Sequence, residues 1–259
     1  MREVGARMHD DQESITGDHS PIRAILFDKD GTLVDFERTW GPAVDAVLRH
    51  LASGNDALYH KLAAASGFDP STDCFRPDSP LIGQPTSVFA RPIASLLGRP
   101  ADTAFLTAID QLLCAATTRN LTPIDDPKTV LGQLAARNYR LGLITNDAEA
   151  TARAHARKLG IAPLLAFIAG YDSGFGAKPD AGPVLAFAAA VGVSPAEIVV
   201  VGDTVLDVAT ARSAGTQAVV VLTGPAPFDR HLTKADGVIP SLAALAVWLD
   251  SGRPALREH

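Results

Sequence analysis

Cysteine is scarce in this chain of 259 residues, which has 2. Cys74 and Cys114 are too few for a disulfide framework and lack metal-ligand spacing, so a reducing compartment is the expectation. There is no basic surplus either. The 23 Lys and Arg face 29 Asp and Glu, a formal net charge of −6, which argues against nucleic acid or an anionic membrane as a partner held by bulk electrostatics. No apolar run approaches membrane-spanning length, and residues 1–20, MREVGARMHDDQESITGDHS, hold no hydrophobic signal core. They read as a flexible leader, and the cytoplasm is the expected location. There is no internal repeat and no low-complexity tract, and Gly174 and Gly176 complete no GxGxxG fingerprint. What is present is ordinary: 47% hydrophobic and 20% charged residues, in a chain long enough for a buried core plus a smaller unit. A phosphorylated ligand would need local positive charge, from a metal or a placed lysine.

Short apolar runs bounded by turns predict strands at residues 24–27, 140–144, 166–169, 198–201, 218–222 and, more weakly, 238–239. Their continuous apolar character suits strands buried on both faces of a parallel sheet. Helices are predicted between them. Asp126-Pro127 opens one, with an acid as N-cap and proline at the first position, and Asp147 opens another that Gly160 ends. Ser194-Pro195-Ala196-Glu197 has a capping-box pattern on what must be a very short turn. The expected class is α/β, a doubly wound, Rossmann-like parallel sheet. Residues 38–119 differ: VDAVLRHLA, DALYHKLAAAS, SVFARPIASLL and TAFLTAIDQLLCAATT are helical patterns with no convincing strand between them. An all-helical cap of residues 38–119 is therefore expected to interrupt a core of residues 21–37 and 120–259.

The chemistry-bearing residues fall at predicted strand ends. In ILFDKDGTLVDF, residues 25–36, Asp28 and Asp30 stand two positions apart, so both carboxylates can face one atom. One can attack while the other carries a proton, the division needed by a carboxylate nucleophile. Gly31 and Thr32 make a tight turn whose amides can approach phosphate oxygens. In LGLITND, Thr145 can donate to phosphate with Asn146 beside it, although the pair also reads as a plain N-cap. Lys178, in GFGAKPD, can offset the charge of Asp28 and phosphate together, or be a solvated lysine. In IVVVGDTVLDV, Asp203 and Asp207 lie four apart and can converge on one cation, with magnesium the best match to hard oxygen ligands. A capped helix with a first-turn acid is the alternative.

The order acid pair, Thr, Lys, acid pair resembles the four motifs of the haloacid dehalogenase superfamily in its phosphatase form, across the whole core. The resemblance implies Asp28 as nucleophile, Asp30 as acid and base, and Thr145 and Lys178 as phosphate holders. It implies a magnesium site of Asp28, the Asp30 main-chain carbonyl, Asp203 and Asp207, and a small phosphorylated metabolite as substrate. Asp30 separates this form from dehalogenases, and P-type ATPases carry DKTGT instead. The insertion resembles the cap of the phosphoglycolate phosphatase and phosphoglucomutase branch, so a phosphosugar mutase is the alternative activity. Phe36 departs from the branch, which often has Ser after the aspartate in DGTLxDS. Arg76, in CFRPD, could meet a substrate carboxylate, although an exposed arginine in a polar loop is the favoured reading. A phospho-accepting regulatory domain or a silent binding protein are the readings outside catalysis, and the sequence assigns no oligomeric state.

Overall fold

Valine, isoleucine and leucine fill the strands of the central sheet because helices cover both of its faces. The computed structural model describes residues 21–225 and 234–251. In chain order its elements are β1 (Ala24–Phe27), α1 (Phe36–Ala52), α2 (Asp56–Ala65), β2 (Phe68–Asp69), β3 (Cys74–Phe75), α3 (Thr86–Leu96), α4 (Thr103–Asn120), α5 (Pro127–Ala136), β4 (Arg140–Ile144) and α6 (Glu149–Lys158). There follow β5 (Leu165–Ala169), α7 (Gly182–Val191), β6 (Ile198–Gly202), α8 (Val205–Ala214), β7 (Gln217–Val221), β8 (Gly237–Ile239) and α9 (Leu245–Asp250). The main sheet is parallel throughout, in the order β5-β4-β1-β6-β7-β8. Its strands match the expected ones to within a residue or so at each end. The expected residue 222 lies just past β7.

Strand alternation divides the core into two layers. Ile25, Phe27, Leu141, Leu143, Val199 and Val201 point to one face, which Leu131 and Leu134 of α5, Ala152 and Ala156 of α6, and Trp248 of α9 cover. Ala24, Leu26, Ile198, Val200 and Val220 point to the other, against Val184 and Phe187 of α7 and Val208 and Ala211 of α8. Helices on both faces make the sheet doubly wound. At Gly142 a Cβ would come within 2.7 Å of the Phe187 ring, so the missing side chain is what lets α7 settle on the sheet. Among the described residues no helix is long and apolar enough to cross a membrane. Residues 1–20, expected to be a leader, lie outside the described residues.

Helices α1 to α4 enclose a separate apolar cluster running from Phe36 to Ala116. Asp35 caps α1 by accepting from Arg38 N at 3.1 Å, so the first helix of this unit starts at Phe36. Phe36 stacks on Trp40 at 5.9 Å between centroids and meets Phe75 at 5.0 Å, which places it in this unit. The unit is not wholly helical. Phe68 and Asp69 pair antiparallel with Phe75 and Cys74, a hairpin too short to leave a periodic trace in sequence. Asp126 caps α5 as expected, with Pro127 at its first turn, and the Ser194–Glu197 capping box closes on a three-residue helical turn. Asp147 does not cap α6. Ala148 holds that position, and the Asp147 carboxylate turns inward instead.

Candidate active site

The parallel sheet brings the C-terminal ends of β1, β4 and β6 to one edge, where each apolar strand gives way to a polar residue. Asp28 continues β1 by one residue, donating from its amide to Val201 O at 2.8 Å, and is 5% exposed. Lys178, from the loop after β5, donates to Asp28 Oδ1 at 2.6 Å and to Asp207 Oδ1 at 2.7 Å. Asp203 follows β6, and Asp207 stands in the first turn of α8. Carboxylate oxygens of Asp28, Asp203 and Asp207 all lie within 4.8 Å of one another.

Charge here is out of balance. Burial pushes the Asp28 carboxyl up to about 7; Lys178 opposes that rise and Asp207 adds to it. Asp203 is driven well above its ordinary value by burial and by Asp28 and Asp207. Burial works against the Lys178 charge, but Asp207 and Asp28 outweigh it and hold the ammonium above its usual range. Asp203 Oδ2 is buried without a hydrogen-bond partner, and Oδ1 has only a long contact from Thr32 Oγ1 at 3.4 Å. A buried carboxylate oxygen with nothing to bond is costly. An oxygen-only donor set with surplus negative charge fits a hard divalent cation such as magnesium. Asp207 is within reach of such an ion, but its Oδ1 takes Lys178 and its Oδ2 takes the Thr204 amide at 3.0 Å and hydroxyl at 2.8 Å.

The other residues singled out in the sequence occupy more varied positions. Thr145 lines the cavity, and its Oγ1 accepts from Asp147 N at 3.1 Å, leaving the hydroxyl proton to donate. Asn146 was expected to hold substrate. It lines the cavity, and its side chain brackets Lys178, accepting from Lys178 N at 2.7 Å and donating to Lys178 O at 3.0 Å and to Gly83 O at 2.8 Å. Gly31 and Thr32 were expected to present amides to phosphate, yet the Gly31 amide donates to Val34 O at 2.7 Å and the Thr32 amide to Lys29 O at 3.4 Å. Gly31 has a different use: at φ +82° its Cβ would lie 2.4 Å from Asp203 Oδ2, so only glycine admits that carboxylate. Arg76 is exposed, bonds Asp78 at 3.3 Å and Ala64 O at 3.2 Å and does not line the cavity, in keeping with an arginine of a polar loop.

A cavity of about 50 Å³ lies above these groups, on the order of four water sites. Asp28, Asp30, Thr145 and Lys178 form its floor, while Trp40, Ile82, Gln84 and Phe89 of the inserted unit form its roof. Asp30 joins the two halves: its Oδ1 accepts from the Trp40 indole at 2.9 Å and its Oδ2 from Lys29 at 2.5 Å. Lys29 and Trp40 went unnoticed in the sequence, where Asp147 marks only the start of a helix. The available signal was Lys29 itself, a charge in an apolar strand end flanked by two acids.

The sequence profile of haloacid dehalogenase-like hydrolases matches residues 22–215. The chain is 38% identical over 125 residues to a phosphoglycolate phosphatase of Rhodospirillum rubrum, spanning 48% of this chain and 52% of that one. It is 30% identical over 235 residues to a phosphoglycolate phosphatase of Chromobacterium violaceum, spanning 89% of this chain and 98% of that one. Among solved structures, a hydrolase of the same family from Deinococcus radiodurans, with phosphate and sodium bound, aligns with TM-score 0.62 at 23% identity over 90% of this chain and 96% of that one. At that identity the likeness is one of fold.

Proposed function

The chain belongs to the haloacid dehalogenase-like hydrolases, and on that footing we propose that it is a magnesium-dependent phosphatase of a small phosphorylated metabolite. The observation that carries this reading is the Asp28 carboxylate, held by Lys178 at 2.6 Å on the floor of a small roofed cavity, with Asp30 two residues on. Asp28 attacks phosphorus, and the bond from phosphorus to the leaving oxygen breaks as Asp30 protonates that oxygen. Water then attacks the aspartyl-phosphate, Asp30 takes its proton, and the bond from phosphorus to Asp28 breaks. Lys178 and Thr145 hold the equatorial phosphate oxygens. Asp207 keeps Lys178 in place and Asn146 aligns the peptide that carries it.

Asp28, Asp203 and the Asp30 main-chain carbonyl are the groups that would hold magnesium, which supplies charge neutralisation at the transferring phosphoryl group. Asp207 stands behind them. A leaving oxygen that reaches Asp30 Oδ1 takes the place of the Trp40 indole. Relatives matched over most of the chain are named as phosphatases, which supports a hydrolase over a mutase. The names of its relatives make phosphoglycolate the first substrate to offer. The test is phosphate release from a panel of phosphomonoesters, phosphoglycolate included, with magnesium and with EDTA. Activity lost in EDTA and in Asp28→Asn supports the proposal. No release from any ester with magnesium present sinks it.

A further inference from the structure

The mechanism above leaves Lys29 unused, although it lies between the two acids and its side chain is 1% exposed. Buried lysines are rare and need partners for three donors. Lys29 Nζ lies 2.5 Å from Asp30 Oδ2, 3.3 Å from His155 Nδ1 and 3.2 Å from Asp147 Oδ2. It also sits 5.6 Å from the centroid of the Trp40 ring, the ring whose N–H bonds the other oxygen of Asp30.

The direction of this chain of bonds is set at its far end. Thr117 Oγ1, in the last turns of α4, donates to Leu113 O at 2.7 Å, so its oxygen is left to accept from His155 Nε2 at 3.0 Å. The imidazole proton is therefore on Nε2, and Nδ1 presents a lone pair to Lys29. Burial and the nearby Lys29 push His155 down to about 2, so the ring keeps that role across the working range. Asp147, held by the Ala148 amide at 2.9 Å, supplies the counter-charge.

We infer that Lys29 is a positioning residue for Asp30: its ammonium, aimed by Asp147 and His155, pins Oδ2 and leaves Oδ1 as the only oxygen that can carry the transferred proton. Both carboxyl oxygens accept from a donor-only group. The Lys29 ammonium on Oδ2 is fixed by Asp147 and His155, whereas the Trp40 indole on Oδ1 is the partner that an incoming leaving oxygen replaces, so the proton is carried on Oδ1. The transferred hydrogen therefore moves from Asp30 Oδ1 to the leaving oxygen as the ester bond to phosphorus breaks. A carboxyl free to rotate would offer either oxygen in many orientations. The inference rests on the phosphatase reading and on Asp30 as its acid. It adds that the acid's aim is built from a second ion pair, distinct from the Lys178 pair that serves the nucleophile.

The test compares kcat/KM for phenyl phosphate, whose leaving group needs a proton, with dinitrophenyl phosphate, whose leaving group does not. Loss of a general acid costs roughly 10²- to 10⁴-fold, so Asp30→Asn should raise the dinitrophenyl-to-phenyl ratio by about that factor. A misaimed acid costs on the order of 10²-fold, and Lys29→Met should raise the ratio by roughly 10- to 100-fold. If Lys29→Met slows both esters equally while Asp30→Asn shifts the ratio, Lys29 is structural only and the inference is overturned. If Asp30→Asn leaves the ratio unchanged, Asp30 is not the acid and the inference falls with it. A wild-type enzyme inert toward both esters points to failure of the phosphatase reading itself. Should Lys29→Met not fold, Lys29→Met/Asp147→Asn removes both charges of the pair together, and the same ratio decides.

Discussion

Lys178→Met removes one ammonium from the candidate site and little else, because methionine fills much of the same buried space. The lysine side chain is 6% exposed and pairs with Asp28 at 2.6 Å and Asp207 at 2.7 Å. Among the described residues no other cation pairs with either acid, and Asp203 completes a cluster of three within 4.8 Å. Breaking a buried pair by deleting one partner costs about 3–5 kcal/mol. The lower end applies here. Asp28, already raised to about 7, can take a proton near neutral pH at small cost, and Asp207 keeps its two bonds from Thr204. We expect a loss of roughly 3 kcal/mol in urea unfolding followed by circular dichroism, in EDTA at neutral pH. Lys178→Met/Asp207→Asn, which removes a like charge as well, should recover part of that loss. Magnesium at about 100 times its dissociation constant should add about 2.7 kcal/mol to any variant that still binds it. A single variant within about 1 kcal/mol of wild type in EDTA, or a double variant no more stable than the single, would refute this account of the site.

Gly224→Ala should weaken metal binding from outside the cluster. Its Cβ would lie 1.8 Å from Asp203 Oδ2, so the carboxylate must swing, and half-maximal activity should need roughly 10-fold more magnesium. An unchanged magnesium titration would remove Asp203 from the ligand set. Asn146→Ala deletes three bonds, to Lys178 N, Lys178 O and Gly83 O, and should cost about 3 kcal/mol in unfolding. A loss within about 0.5 kcal/mol would mark Asn146 as a mere substrate contact. His155 tests the sign of a pH effect. Its folded value, about 2, lies below the unfolded one, so its contribution is complete above the unfolded value and is lost as pH falls. Between pH ~7.5 and ~5.5 wild type should lose about 1.4 kcal/mol relative to His155→Gln. The raised values of Asp28 and Asp147 act in the opposite sense in both proteins and drop out of that difference.

Local physics made much of this protein legible from sequence. The extent of β1 and β4, the start of α5 at Asp126-Pro127 and the apolar period of α1 to α4 depend on neighbours a few residues away. Parallel strands share one C-terminal edge, so Asp28, Thr145 and Asp203 had to assemble once the strands were placed. Orientation was another matter. Asn146 and Thr32 have the residue types of phosphate ligands, yet Asn146 turns to Lys178 and Thr32 to Asp203, because the partner they find is 32 or 171 residues away. Lys29, between two acids, drew no reading from the sequence. Only the approach of His155, 126 residues on, and of Asp147 made it a buried tripod. Sequence alone determined which groups stand at the sheet edge, since that follows from strand period and helix capping. Tertiary structure alone decided what each group points at, because a buried polar atom must bond to whatever the packed fold places within about 3 Å of it.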